Sequence, residues 1–233
     1  MHLFYVPDIE IRHILPEEES KHAVKVLRLQ PGDDVILVDG VGGWYRGAIT
    51  QAHPLHCEFE IKETIPNYGK RNYHLHIGIA PTKNIDRFEW FLEKATEIGI
   101  DEITPIICHN SERRICKPER WEKILIAASK QSLKAFFPRL NPAISFDNFI
   151  KKTSTKQKMI AHCYESIKLS LKFSVVPSSD SIILIGPEGD FSKEEILKAI
   201  DNQYRPVSLG KSRLRTETAG VVACHTIALM NDE

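Results

Sequence analysis

The sequence predicts an α/β protein preceded by a small β-rich module. From Tyr73 onward, short apolar runs alternate with stretches whose apolar residues recur at helical spacing, the pattern of a largely parallel sheet covered on both faces. Ahead of residue 67 the strand-like runs Val35–Val38 and Trp44–Ile49 are separated by Gly40 and Gly42-Gly43, a hairpin signal. A length of 233 residues with 42% apolar and 27% charged side chains gives enough chain for a real core, in one large domain or two small ones.

Each element has its own signal. In the first module Ala23, Val26, Leu27 and the stem of Lys25 recur at helical spacing and predict a short helix from Glu18 to Leu29. Residues 66–72 are polar and turn-rich and read as a linker, giving domains 1–70 and 71–233. Tyr73, Leu75, Ile77 and Ile79 alternate at period two and predict a strand. Ile85, Phe88, Phe91, Leu92, Ala95 and Ile98 predict a helix that Gly99 stops. Glu102 to Ile107 reads as the next strand. Pro118 suits the first turn of a helix expected through Phe136, with Pro138 as terminator and Trp121, Ile124, Leu125 and Ala128 as its inward stripe. Gln157 to His162 and Ser181 to Ile185 are further strands. Ser192 and Glu195 have capping-box spacing, so Ser192 reads as a helix start. A closing helix is expected from Thr216 to Met230, burying Ala219, Val222, Ala223, Ile227 and Met230.

Composition excludes several classes. No apolar stretch approaches the length that crosses a bilayer, and the opening residues Met1 to Asp8 lack a signal peptide's basic and long apolar regions, so a cytoplasmic protein without a membrane partner is expected. Five widely spaced cysteines without a C-x-x-C pair argue for reduced thiols. Cys108-His109 with Cys116, His53 with His56, and His74 with His76 all fall short of a four-ligand set in tight pairs, so no metal is expected. The 31 basic and 31 acidic residues balance, yet basic residues cluster at Lys21, Lys25 and Arg28, at Arg113, Arg114 and Lys117, and at Lys134 and Arg139. Such clusters are either local anion-binding patches or solvated helix faces.

Two glycine-bearing turns carry the chemistry. Ile185-Gly186-Pro187-Glu188-Gly189 and the segment from Leu209-Gly210 through Leu214-Arg215-Thr216-Glu217-Thr218-Ala219 each end an apolar run and open a helical pattern. In an α/β sheet, small molecules bind at such carboxyl ends of strands, where glycine lets backbone approach the ligand. Neither turn fits the dinucleotide or P-loop fingerprint. Together, GPEGxF and LGxxxLRTETA resemble the knotted SPOUT class of S-adenosylmethionine-dependent RNA methyltransferases, within it the family of ribosomal RNA small subunit methyltransferase E. Leu27-Arg28, Lys94 to Gly99, Ser111-Glu112-Arg113 and Gln131 to Pro138 fall in that family's order. Asp190, where the pattern usually has a third glycine, and Arg213, where it usually has an apolar residue, depart from it.

The resemblance implies a trefoil-knotted SPOUT methyltransferase domain over 71–233, a PUA-like RNA-binding barrel over 1–70, and a homodimer. It also implies S-adenosylmethionine as cofactor and N3 of a uridine in 16S ribosomal RNA, free or in the small subunit, as acceptor. Ile185, Gly186, Pro187, Glu188, Gly189, Leu209, Gly210, Leu214 and Thr218 are the expected cofactor residues. Uracil N3 must lose its proton before or during attack, and the base must be unpaired. Arg215 is the candidate stabiliser of the uracil anion, and Glu217 the candidate proton acceptor or orienting partner of Arg215. Thr216 reads equally as a helix N-cap and Glu217 as a favourable charge at the helix start. Lys25, Arg28, Arg113, Arg114, Gln131 and Arg139 are the candidate RNA contacts. A noncatalytic RNA-binding assembly factor and a SPOUT enzyme for another RNA remain the alternatives.

Overall fold

The structure, a computed structural model, describes residues 2–152 and 155–232. Its contacts divide into two compact units, Met1–Lys70 with Ile126–Phe137, and Arg71–Leu125 with Pro138–Glu233.

The first unit contains β1 (Leu3–Tyr5), α1 (Glu17–Lys21), β2 (Asp34–Val38), β3 (Trp44–Gln51) and β4 (Glu58–Ile65). The strands form one sheet in the order β1-β2-β3-β4, with β1 parallel to β2 and the later pairs antiparallel. One group of side chains, including Phe4, Leu15, Ala23, Leu37, Tyr45, Ile49 and Phe59, makes the main core. A second, of Ile36, Val38 and Trp44, closes against Ala135 and Phe137, which explains why residues 126–137 group here. The helix expected over Glu18 to Leu29 is shorter. After Lys21 it widens into a π-helical turn, His22–Val26, and Arg28 adopts φ +58, a left-handed conformation that cannot continue a helix. Val26, expected inside, is 65% exposed.

The second unit runs β5 (Leu75–Ile79), α2 (Ile85–Ile98), β6 (Glu102–Ile107), α3 (Pro118–Gln131, its last residues grouped with the first unit), β7 (Arg139–Leu140), β8 (Ile144–Ser145), α4 (Phe146–Lys152), β9 (Gln157–Ala161), β10 (Leu169–Ser170), α5 (Leu171–Ser174), β11 (Ser181–Ile185), α6 (Lys193–Asp201), β12 (Arg205–Ser208) and α7 (Thr216–Leu229). The sheet order is β10-β12-β9-β11-β5-β6-β7, with β8 also on β6, and every pairing is parallel. The period-two reading of β5 missed its place. It is central and buried on both faces, His76 and Gly78 included, because helices cover both sides of a parallel sheet.

One core group includes Leu75, Ile77, Ile79, Phe88, Phe91, Trp121, Ile183, Ala223 and Ile227, and another joins Ile106, Phe146, Phe149, Leu184, Phe191 and Tyr204. Helix α3 ends at Gln131 rather than Phe136. Ser132 Oγ donates to the Ala128 carbonyl and Leu133 takes φ +55, so the chain turns well before Pro138. Ala223 is fully buried in its own core, while Val222 and Met230 are half-buried. Among the described residues no helix is long and apolar enough to cross a membrane.

Candidate cofactor and active site

Because the second sheet is parallel, the loops leaving its strands gather at one end, the site-forming end of such sheets. β9 is the reference line. Its last residue, Ala161, lies opposite Ile185 of β11 on one side and Val207 of β12 on the other. The two glycine turns therefore leave the sheet on either side of the residue that follows β9, His162.

The first turn is held from several directions. Ala80 N–H donates to the Ile185 carbonyl, and Lys83 N–H to Glu188 Oε1 at 2.9 Å. Asn110 Nδ2 donates to the carbonyls of Gly189 (3.2 Å) and Asp190 (3.1 Å). Asp190 takes φ +63, which accounts for glycine at this point in the family pattern; here its carboxylate accepts from Phe191 N–H and, at 2.7 Å, from Cys163 N–H. Ser192 and Glu195 form the expected capping box, and Glu195 also accepts from His109 N–H. A Cβ at Gly186 would lie 3.1 Å from the Phe191 ring, a tight contact that the ring would have to relieve by a few tenths of an ångström.

The second turn is tied to the first at one point. Thr216 Oγ1 donates to the Gly186 carbonyl at 3.0 Å. The N-cap of α7 is Arg215, with φ −73 and ψ 158, so the reading of Thr216 as N-cap is corrected: its hydroxyl serves the neighbouring turn. Gly210 has φ +130, which disfavours any side chain, and open space where a Cβ would be. Ile185 and Pro187 are buried, Glu188, Gly189 and Gly210 exposed, and Leu209, Leu214 and Thr218 half-buried.

Glu217 is 7% exposed. Its Oε1 lies 3.9 Å from Arg87 Nε, and its Oε2 has no hydrogen-bond partner among the described residues. Arg215 is exposed, and among the described residues the ion-pair neighbour of Glu217 is Arg87. His162 is 9% exposed with neither ring nitrogen hydrogen-bonded among the described residues. Burial pushes its pKa down, Lys168 adds to the effect, and Asp190 opposes it. Buried polar atoms are almost always paired. Two unpaired groups beside open backbone fit a bound molecule that is partly polar and partly apolar, as S-adenosylmethionine is.

The six expected RNA contacts are dispersed. Arg113 is committed inside its own unit, donating from Nε to the Thr82 carbonyl at 3.0 Å and from Nη2 to the Lys83 carbonyl at 2.8 Å. Arg114 is exposed and lines a concavity of about 460 Å³ with His109, Asp147, Glu194 and Lys198. Arg139 opens β7 opposite Glu102, at the far end of the sheet from the glycine turns. Lys25, Arg28 and Gln131 are exposed residues of the first unit. Sequence reasoning missed His162, Arg87 and Asn110. Only His162 had a legible signal, as a polar residue closing an apolar strand.

The chain is similar to known proteins over most of its length. A family model described as an RNA methyltransferase domain matches residues 69–228, and one described as an RNA methyltransferase PUA domain matches residues 15–62. The class is thus the RNA methyltransferases. The ribosomal RNA small subunit methyltransferase E of Synechocystis is 30% identical over 225 residues, covering 92% of this chain and 72% of that protein. A Porphyromonas gingivalis crystal structure described as a "probable rRNA-methyltransferase" shares 42% identity with a TM-score of 0.93, over 98% of this chain and 99% of that one. The ribosomal RNA small subunit methyltransferase E of Neisseria gonorrhoeae, solved bound to S-adenosyl methionine, is 27% identical with a TM-score of 0.85, over 99% of this chain and 98% of that one. The chain belongs to the ribosomal RNA small subunit methyltransferase E family.

Proposed function

We propose that this protein transfers the methyl group of S-adenosylmethionine to N3 of a uridine in small-subunit (16S) ribosomal RNA. The observation that carries the reading is the pair of glycine turns flanking His162, locked together by the Thr216–Gly186 hydrogen bond, in a chain of this family. Ile185 to Gly189 and Leu209, Gly210, Leu214 and Thr218 surround the cofactor. Ile185 and Pro187 are buried, so they act through shape and backbone, while Gly210 offers open main chain.

The bound cofactor supplies an electrophilic methyl carbon on a sulfonium. The chain's own residues supply the rest. Arg215, exposed at the start of α7, holds the negative charge that develops on uracil as its N3 proton leaves. Glu217, buried with one unpaired oxygen, takes that proton. Arg87, with its Nε 3.9 Å from Oε1, places a positive charge beside the carboxylate, and a role for Glu217 in orienting Arg215 is the alternative to proton acceptance.

The first unit is the PUA-like RNA-binding barrel of this reading, with Lys25, Arg28 and Gln131 as exposed contacts; the match over residues 15–62 supports it. Arg114 and Arg139 contribute positive charge from the second unit. Arg113 acts through the 82–83 backbone it holds. A trefoil knot fits the path of α7, which leaves β12 and packs on α2, β5 and β11, across the line of β9. A homodimer is supported by exposed Ile167, Leu169, Phe173, Val176 and Leu229. A cytoplasmic setting follows from the substrate.

The test has two stages. Calorimetric titration with S-adenosylmethionine is expected to show binding. Incubation with small subunits and with free RNA from cells lacking the gene is then expected to restore an N3-methyluridine, mapped by mass spectrometry of digests. No cofactor binding selects the noncatalytic assembly factor, and methyl transfer only to another RNA selects the other SPOUT activity.

A further inference from the structure

We infer that His162 is a cofactor-binding residue whose neutral imidazole hydrogen-bonds to the hydroxyl-bearing part of the cofactor between the two glycine turns. This rests on the reading of the site given above and adds a residue to it. The position follows from strand register. Ala161 faces Ile185 and Val207, so His162 is the first residue beyond the sheet on its middle line, level with Gly186 and Ser208.

The local backbone is held from both sides. Lys168 Nζ donates to the His162 carbonyl at 2.7 Å, and Cys163 N–H donates to Asp190 in the first turn at 2.7 Å. The ring itself is nine-tenths buried, yet neither nitrogen is hydrogen-bonded among the described residues. Leaving a buried polar atom unpaired costs about 1–3 kcal/mol, and an imidazole has two such atoms. A ligand that supplies both partners removes that cost on binding.

The ring's chemistry narrows the partner. A neutral imidazole offers one donor and one acceptor. A carboxylate satisfies only the donor and an ammonium only the acceptor, whereas a hydroxyl can do either. Within S-adenosylmethionine the ribose hydroxyls do this at single atoms, whereas adenine offers a donor and acceptors only at separate atoms of its edge. A neutral ring also avoids repulsion of the sulfonium cation.

The experiment uses the full-length protein and S-adenosylhomocysteine as the probe. Wild type, His162→Leu and His162→Gln are titrated calorimetrically and melted without ligand, and histidine side-chain 15N shifts of the wild type are followed with and without ligand. Affinity is expected to fall about tenfold to a hundredfold in His162→Leu, the loss of one good hydrogen bond or two modest ones. His162→Gln, which keeps a donor and an acceptor, retains part of it. The ligand-free melting temperature of His162→Leu stays at or above that of wild type, because an unpaired polar group has been removed. The His162 15N signals shift on ligand addition. Unchanged affinity in both variants, or unchanged His162 shifts at saturating ligand, overturns the inference while leaving the cofactor site standing. Failure of the wild type itself to bind overturns the cofactor reading and this inference with it. The wild-type spectra decide the matter even if a variant does not fold.

Discussion

At the amino-terminal end of the second sheet, Arg71 pairs with Asp101 at 2.5 Å, Asp101 also accepts from Leu75 N–H, His76 bonds Thr104 at 2.7 Å, and Gln157 reaches the carbonyls of Val176 and Ser179. At the carboxyl end, His162 and one oxygen of Glu217 are buried without hydrogen-bond partners among the described residues. The same sheet therefore has one end where these buried polar groups are satisfied internally and another where, beside the paired Thr216 and Glu195, two groups are left for something else. Paired buried groups specify a fold, while unpaired ones are tolerated where a ligand completes them.

The largest test of this contrast is Arg215→Ala. Arg215 is exposed at the open end, so the variant should melt like wild type while its single-turnover methyl transfer falls about 10²–10³-fold, the typical loss of one charge-stabilising group. An unchanged single-turnover rate would move Arg215 out of the chemistry.

Asp101→Ala should do the reverse. It removes the ion-pair partner of Arg71, which keeps its bonds to Tyr73 and the Gly99 carbonyl, and leaves the Leu75 N–H unpaired, so about 2–4 kcal/mol of stability should be lost in denaturant titration, with cofactor affinity of the folded protein intact. Loss of affinity without loss of stability would break the comparison.

Acid probes the closed end next. Burial pushes the His76 imidazole from its ordinary 6.5 down to about 4, against the opposing pull of Glu102. Between those two values the unfolded chain binds a proton that the folded chain refuses. This contribution is therefore present above pH 6.5 and lost as pH falls toward 4, on the order of 3 kcal/mol. Chemical denaturation across that window should show the slope, and His76→Gln should flatten it.

The smallest effect sharpens the rule within the open end. Ser192 stands beside the first turn but is fully engaged in its capping box, so Ser192→Ala should cost about 1 kcal/mol of stability and leave cofactor affinity unchanged. A large affinity loss would show that position alone, rather than unpaired polarity, marks the functional groups.

Much of this molecule was written in local sequence. Helix α2 with its Gly99 stop, strand β6, strand β11 and the capping box of α6 follow from apolar spacing and cap chemistry that involve only neighbouring residues. The glycine turns were equally legible as breaks between apolar runs, though only Gly210, at φ +130, has a backbone that restricts residue type. Helix ends were less so. Arg28 and Leu133 take left-handed conformations that their side chains do not announce, and the helices before them stop early. What only tertiary structure decided is which residues meet. Parallel pairing put Ala161 between Ile185 and Val207, brought Thr216 to Gly186 and Arg87 to Glu217, and left the His162 ring nitrogens without a hydrogen bond among the described residues. Those relations span tens of residues in sequence and depend on strand order, which hydrophobic periodicity does not encode.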